Sequence, residues 1–314
     1  MRILITGASG QIGTNLALRC LADGFGVCGV DIRPNTWTSS FPVLLHDLTR
    51  RDTAGTLAAQ LASWGKPDVV VHLAAHAKVH ELVVEPDKAL DNIAMTQQVL
   101  EYCRKQATPI VLASSREVYG DVRRTETDED DADFTRSAST YAASKLSAEA
   151  LLYSYSRCYG LPYLVLRLSN VYGRYDNDVE RMERVIPLFM HKLQRGEPLT
   201  IFGGDKVLDF TYVDDCIDGI LRGIQRLTAG SVTNQTINLA RGEGHTLRQL
   251  CLLLADALRT EAQILEAPLQ AGEILRYVAR LNRARLLLGY EPSVSLPEGL
   301  RRAVAWARET STTS

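Results

Sequence analysis

The chain has 314 residues, 46% of them hydrophobic and 23% charged, which suits one large globular domain or two unequal ones. A net charge of −2 excludes a chain-wide basic field, so neither nucleic acid nor a membrane surface is expected as a partner. Six scattered cysteines without a Cys-x-x-Cys pair or zinc spacing, an opening apolar segment too short for a signal sequence and no run long enough to span a bilayer together predict a cytoplasmic chain with reduced thiols.

The first run, Arg2-Ile-Leu-Ile-Thr6, reads as a buried strand and leads at once into Gly7-Ala-Ser9-Gly10-Gln11-Ile12-Gly13 and an amphipathic helix to about Leu21. Glycines belong where backbone passes close to a pyrophosphate, and the helix start offers that group free amides and a partial positive charge. The spacing is Gly-x-x-Gly-x-x-Gly, not the Gly-x-Gly-x-x-Gly of the dehydrogenase fingerprint. A second strand, Gly26–Val30, ends in Asp31, about 20 residues on, where a carboxylate bonds a ribose 2′-hydroxyl and repels a 2′-phosphate. That favours NAD over NADP, although Arg33, just past Ile32, pulls the other way.

Strands and helices then alternate as in a doubly wound parallel α/β sheet. Val43–His46 leads to Asp47-Leu48 and a helix to about Ser63; Asp68–His72 is followed by the small turn Leu73-Ala74-Ala75, where a flat ring can lie against backbone. A helix over 89–105 contains Asn92, and Pro109–Ala113 delivers Ser114 and Ser115 to a strand end, where such sheets take their ligands. Tyr141 and Lys145 are spaced i, i+4, which on a helix places phenol and ammonium on one face about one turn apart. A lysine there favours the phenolate and makes tyrosine a usable general base. Taken alone, the pair equally suits an aromatic and a charge on any amphipathic helix.

Gly7-x-x-Gly10-x-x-Gly13, Asp31, Asp47-Leu48, His72-Leu-Ala-Ala75, Asn92, Ser114-Ser-Arg-Glu-Val-Tyr-Gly120, Tyr141-x-x-x-Lys145, Arg167–Gly173, Asp209–Asp215 and Leu288–Pro292 occur in register along nearly the whole chain. In this order they resemble the extended short-chain dehydrogenases/reductases, in the NAD-dependent epimerase/dehydratase branch that acts on nucleotide sugars. The resemblance implies a Rossmann-like NAD domain over residues 1–170, completed by strands from about 207–240 near Phe210 and Ile237, and a smaller substrate lobe from 171–206 and 241–314. It implies a homodimer through helices 89–105 and 141–158. NAD would be held by Gly7, Ser9, Gly10, Gln11, Ile12, Gly13, Asp31, Ile32, Arg33, Asp47, Leu48, Leu73, Ala74, Ala75, Asn92, Ala113, Tyr141, Lys145 and Leu168.

The same resemblance makes Tyr141 the base, Ser115 a hydrogen-bond partner of the reacting sugar oxygen, and Lys145 the holder of the nicotinamide ribose and the group that lowers the tyrosine pKa. It places His76, Lys78, Ser115, Arg116, Asn170, Val185, Ile186, Lys206 and Arg276 toward the nucleotide sugar. Glu117 stands where dehydratases and decarboxylating relatives keep an acid–base group, but Arg116 replaces the dehydratase aspartate; Glu117 is then either catalytic or paired with a cation. Two arginines that relatives place on the diphosphate are Leu208 and Gln270 here; either Lys206 and Arg276 take over the phosphates, the lysine matching an arginine in charge but not in its bidentate fork, or the substrate is not an ordinary nucleoside-diphosphate sugar. His76, Lys78 and His80 lack the carboxylate partners of a metal site, and Asp128–Asp131 reads as an exposed loop. C4 epimerisation with recycled NAD is the first expectation. Dehydration or decarboxylation through Glu117, a dehydrogenase or reductase on a non-nucleotide substrate, and a catalytically retired NAD-binding protein are the alternatives.

Overall fold

Strand β1 (Arg2–Thr6) is buried from Ile3 onward and turns directly into helix α1 (Gln11–Ala22). There follow β2 (Gly26–Asp31), β3 (Val43–Leu45), α2 (Thr53–Leu61), β4 (Val69–His72), α3 (Val79–Val84), α4 (Asp87–Gln106), β5 (Ile110–Ser115), α5 (Thr140–Tyr159) and β6 (Tyr163–Leu168). β7 (Asn170–Tyr172), β8 (Leu199–Phe202) and β9 (Val207–Tyr212) precede β10 (Gln235–Leu239). The computed structural model describes residues 1–121, 124–176, 184–269 and 272–311.

The main sheet has seven strands in the order β10-β6-β5-β4-β1-β2-β3, every neighbouring pair parallel. Helices cover both faces, so the central strands read as continuous apolar runs instead of alternating ones. On one face α2, α4 and α5 contribute Leu57, Val99 and Leu152. On the other, Leu16 and Cys20 of α1 meet Ile217, Ile220 and Ile224 of the helix Val213–Thr228 in a core that continues into the C-terminal part. Strand order reverses between β1 and β4, and the crevice beyond their carboxyl ends is the natural ligand site.

Of the two late segments expected to extend this sheet, only Gln235–Leu239 does so. β9, which carries Phe210, belongs to a separate small sheet with β7, β11 (Gly244–Thr246) and β13 (Arg276–Tyr277). The reason lies in Asp209, whose fully buried carboxylate accepts the backbone N–H groups of Arg241, Gly242 and Ala279 and so ties β9 to the C-terminal segments. β8 pairs with β12 (Ile264–Ala267). The C-terminal helix runs from Leu296 to Ser311, so the expected loose tail from Thr310 is helical at its start, and 312–314 lie outside the described residues. All six cysteines are free and five are buried, Cys158 being exposed.

Candidate active site

The glycine turn is built from two kinds of constraint. Gly7 has φ +70°, and a Cβ there would sit 2.8 Å from the Ala74 nitrogen; at Gly13 it would sit 2.2 Å from the Gly7 carbonyl oxygen. Both are glycine because the chain packs on itself. Gly10 differs, since among the described residues its added Cβ would meet only the Gly7 oxygen, at 3.3 Å, and its φ of −81° is ordinary. Gly10 is also the N-cap of α1, which has no side-chain cap and no acidic residue in its first turn. A helix start left bare, beside a glycine that its own fold hardly demands, fits a pyrophosphate.

Asp31 is buried at the end of β2, its Oδ2 accepting Ser9 N–H at 3.0 Å and its Oδ1 accepting Arg33 N–H at 3.1 Å. Each oxygen keeps a further lone pair for a ribose hydroxyl. Ile32 stands exposed beside it, and Leu48 is buried behind the half-buried Asp47, whose carboxylate is held low by its bonds to Thr49. Half-buried Leu73, Ala74 and Ala75 follow β4, where Ala74 N–H donates to Thr6 Oγ1 at 3.3 Å. Gln11 is buried and Ile12 half-buried at the start of α1. These residues fit a dinucleotide.

Asn92 pins rather than faces outward: its side chain exchanges hydrogen bonds with the His76 backbone at 2.7 and 3.0 Å and donates to Ser144 Oγ at 3.1 Å, joining the β4 turn to α5. His76 reaches Asp91 at 3.6 Å, and Lys78, half-buried, caps α3. α5 starts where Ser139 accepts Ala142 N–H, which sets Tyr141 in its first turn and Lys145 one turn on, both buried. Lys145 Nζ donates to the Ala113 carbonyl at 2.9 Å and lies 5.9 Å from the Tyr141 ring centre. Burial brings this ammonium down to about 8, against the opposing charge of Glu149.

Burial pushes the Tyr141 phenol up to about 12; its hydrogen bond to Ser115 lowers it, Glu117 raises it, and Arg184 and Arg116 lower it. Lys145 is not among these leading influences. Ser115, at the end of β5, accepts Glu117 N–H at 3.2 Å and caps the short 3-10 helix Arg116–Tyr119. Arg116 Nη2 pairs with Glu117 Oε1 at 2.7 Å, and its Nε donates to Asn170 Oδ1 at 3.2 Å. Asn170 in turn donates to the Asp209 carbonyl at 2.9 Å. Leu168 is buried at the end of β6.

On the lobe side, Lys206 is buried and bonded to Glu273 at 2.7 Å, with burial lowering its pKa and Glu273 raising it. Arg276 donates to the Thr125 carbonyl at 3.3 Å, and Leu208 lies in the hydrophobic core. Gln270 lies outside the described residues, as do 177–183 of the mixed-charge run. Val185 and Ile186 open the helix Val185–Gln194, half-buried and buried respectively. Just before them Arg184 bridges Gln11 Oε1, at 2.5 Å, and Asp176, at 3.3 Å.

Sequence reasoning missed a buried network behind the site. Glu149 binds Arg167 through both oxygens, at 2.7 and 2.9 Å, and accepts from Ser114 at 2.5 Å and Tyr153 at 2.9 Å. Two signals were present: Glu149 is one turn beyond Lys145, and Arg167 is a charge inside an otherwise apolar strand. Asp128–Asp131 is a second correction, because Glu129 is buried and accepts Asn238 N–H at 2.8 Å, so the acidic run is not simply an exposed loop. Thr6 and His72 also pair, at 2.7 Å, beneath the glycine turn.

The sequence profile of the NAD dependent epimerase/dehydratase family matches residues 3–240. The chain belongs to this family. Among family members, the UDP-glucose 4-epimerase of Mycolicibacterium smegmatis is 32% identical over 99% of this chain and 100% of its own. The solved UDP-glucose 4-epimerase of Thermotoga maritima, with UDP-glucose, superposes at a TM-score of 0.90 with 30% identity and 99% of each chain covered. The UDP-glucuronic acid 4-epimerase of Bacillus cereus, in complex with UDP-glucuronic acid and NAD, gives 0.86 with 28% identity, covering 99% of this chain and 100% of that one. As a member of this epimerase/dehydratase family the chain is NAD-dependent.

Proposed function

We propose that this chain is an NAD-dependent nucleotide-sugar 4-epimerase, an isomerase working through a transient 4-keto sugar. The observation that carries the choice within the family is the Arg116–Glu117 ion pair at 2.7 Å. Position 116 has no acid to help hydroxide leave, and the one carboxylate beyond Ser115 is engaged by a cation, so elimination lacks its machinery while Ser115, Tyr141 and Lys145 stand together. Tyr141 takes the proton of the C4 hydroxyl as the phenolate, which binding of substrate and cofactor must first favour over the buried phenol, and Ser115 hydrogen-bonds the same oxygen. NAD, held at the glycine turn and Asp31, would supply the acceptor and donor of the C4 hydride. Lys145 holds the nicotinamide ribose, and Tyr141 gives its proton back at the end of the cycle, so nothing is consumed.

The lobe that includes β7, β8, β9 and the chain beyond 241 receives the nucleotide sugar, with Lys206 and Arg276 nearest in kind to diphosphate ligands. UDP sugars are the first substrates to test, because the relatives' names specify them. The same helices α4 and α5 join two copies into a dimer; they pack on each other here and leave Leu90 and Tyr159 exposed. The free, mostly buried thiols suit the cytoplasm. Nucleotide sugars incubated with the protein in deuterated water and followed by NMR test the function. A C4 stereoisomer without solvent deuterium is expected; deuterium beside a carbonyl, or net release of NADH, would replace epimerisation with elimination or with dehydrogenation.

A further inference from the structure

Two buried polar atoms beside the reacting groups have no hydrogen-bond partner among the described residues. Arg116 uses Nε on Asn170 and Nη2 on Glu117, which leaves Nη1 buried and unpartnered. Glu117, 5% exposed, gives Oε1 to Arg116, and its Oε2 is buried and unpartnered as well. Both atoms belong to one ion pair. Native proteins keep few such atoms, and a ligand site is a place where they persist. The pair borders Ser115, whose hydroxyl accepts Glu117 N–H, and both charges act on the Tyr141 phenol. Lys206, which acts electrostatically with Arg116 and Glu117, is matched by Glu273 at 2.7 Å, so these two cations each have a carboxylate.

We infer that Arg116 and Glu117 together hold a neutral hydroxyl of the sugar, the C6 hydroxyl of a hexose, and that the site discriminates against hexuronates. The inference rests on the 4-epimerase reading above. An unpartnered guanidinium nitrogen and an unpartnered carboxylate oxygen on one ion pair complement a hydroxyl, which can accept from the first and donate to the second. A uronate carboxylate can accept from Nη1 but has no proton for Oε2, and it sets a second negative charge against Glu117 when Arg116 is already neutralised. With O4 at Tyr141, the neighbouring substituents are the C3 hydroxyl, fixed on the ring, and the C6 hydroxyl, which turns about C5–C6 to meet both atoms.

The test is equilibrium binding of UDP-glucose, UDP-6-deoxyglucose and UDP-glucuronate to the NAD-loaded protein, wild type and Glu117→Gln. In the wild type UDP-glucose should bind at least about tenfold more tightly than either analogue, since one lacks the hydroxyl and the other repels. Glu117→Gln keeps an acceptor and removes the charge, so the uronate should come within about threefold of the hexose. Uronate binding as tight as hexose in the wild type, or an unchanged ratio in a variant with normal melting, overturns the inference. If Glu117→Gln does not fold, the 6-deoxy comparison in the wild type still decides. Hexose-selective binding without epimerisation would refute the functional reading alone; epimerisation with equal affinities would refute this inference alone.

Discussion

Replacing Gly10 with alanine separates the cofactor from the fold. Among the described residues the added methyl meets only the Gly7 carbonyl oxygen, at 3.3 Å, which a shift of a few tenths of an ångström relieves, and φ is already −81°. The loss of a favourable N-cap residue and the reduced entropy of the unfolded chain, about 0.4–1 kcal/mol, oppose each other. Net stability should therefore change by about 1 kcal/mol or less, a melting shift below about 4 °C. A pyrophosphate lying on the same backbone has to move away from the methyl. At the usual cost of overpacking, about 1–3 kcal/mol, NAD should bind about 5- to 150-fold more weakly. Gly13→Ala is the control, because its Cβ would lie 2.2 Å from one backbone atom and 2.7 Å from another, and it should cost about 3 kcal/mol or more in stability. Calorimetric melting and NAD titration of both variants read the two effects separately. Wild-type NAD affinity in a well-folded Gly10→Ala protein would refute the assignment of the turn to the pyrophosphate.

Tyr141→Phe should keep NAD bound and lower turnover by about 10²-fold or more, the scale of a general base, and near-normal turnover would move the base elsewhere. Asp31→Ala should weaken NAD and narrow its margin over NADP in paired titrations; an unchanged preference would make Asp31 structural. Glu117→Gln should cost less than about tenfold in epimerisation, with no build-up of bound NADH in the nicotinamide absorbance band, whereas accumulation would show Glu117 moving a proton after the first oxidation. His72 is held neutral by burial, and then by the Lys145 charge, down to about 3. The unfolded chain gains a proton near pH 6.5 that the native one refuses, so this contribution is full above pH 6.5 and is lost as pH falls toward 3. Between pH 7 and pH 5 this group alone should cost about 2 kcal/mol, while Asp176 and Asp209, raised by burial to about 6, gain stability over the same range. The effect is therefore read as the difference in denaturant midpoints between the wild type and His72→Gln, and identical pH profiles for the two would contradict a neutral His72.

The legible parts of this protein were those written in local pattern. Apolar runs such as Val69–Val71 announce strands buried on both faces, the Gly7–Gly13 turn followed by Asp31 marks a candidate dinucleotide crevice, and Tyr141 with Lys145 one helical turn away marks the candidate base. Each depends on spacing within a few residues or on strand ends that a parallel sheet must align. The helices expected over 89–105 and 141–158 appear as Asp87–Gln106 and Thr140–Tyr159 for the same reason.

Partners distant in the chain were not legible, because a charged side chain is satisfied by whichever segment folding brings beside it. Asp209 draws β9 out of the main sheet with three amides from beyond residue 240, and no local periodicity reports that. Lys206, a candidate phosphate ligand by its charge, meets Glu273, 67 residues away. Arg167 finds Glu149 only once β6 and α5 pack, and Arg116 finds Asn170 only once the segment after β5 meets the start of β7. The amino-acid order determined the scaffold and the candidate reacting groups through short-range geometry. Tertiary structure alone decided which charges are neutralised and which buried atoms remain for a ligand, since burial makes an unpaired charge costly and only the folded chain supplies the pairing.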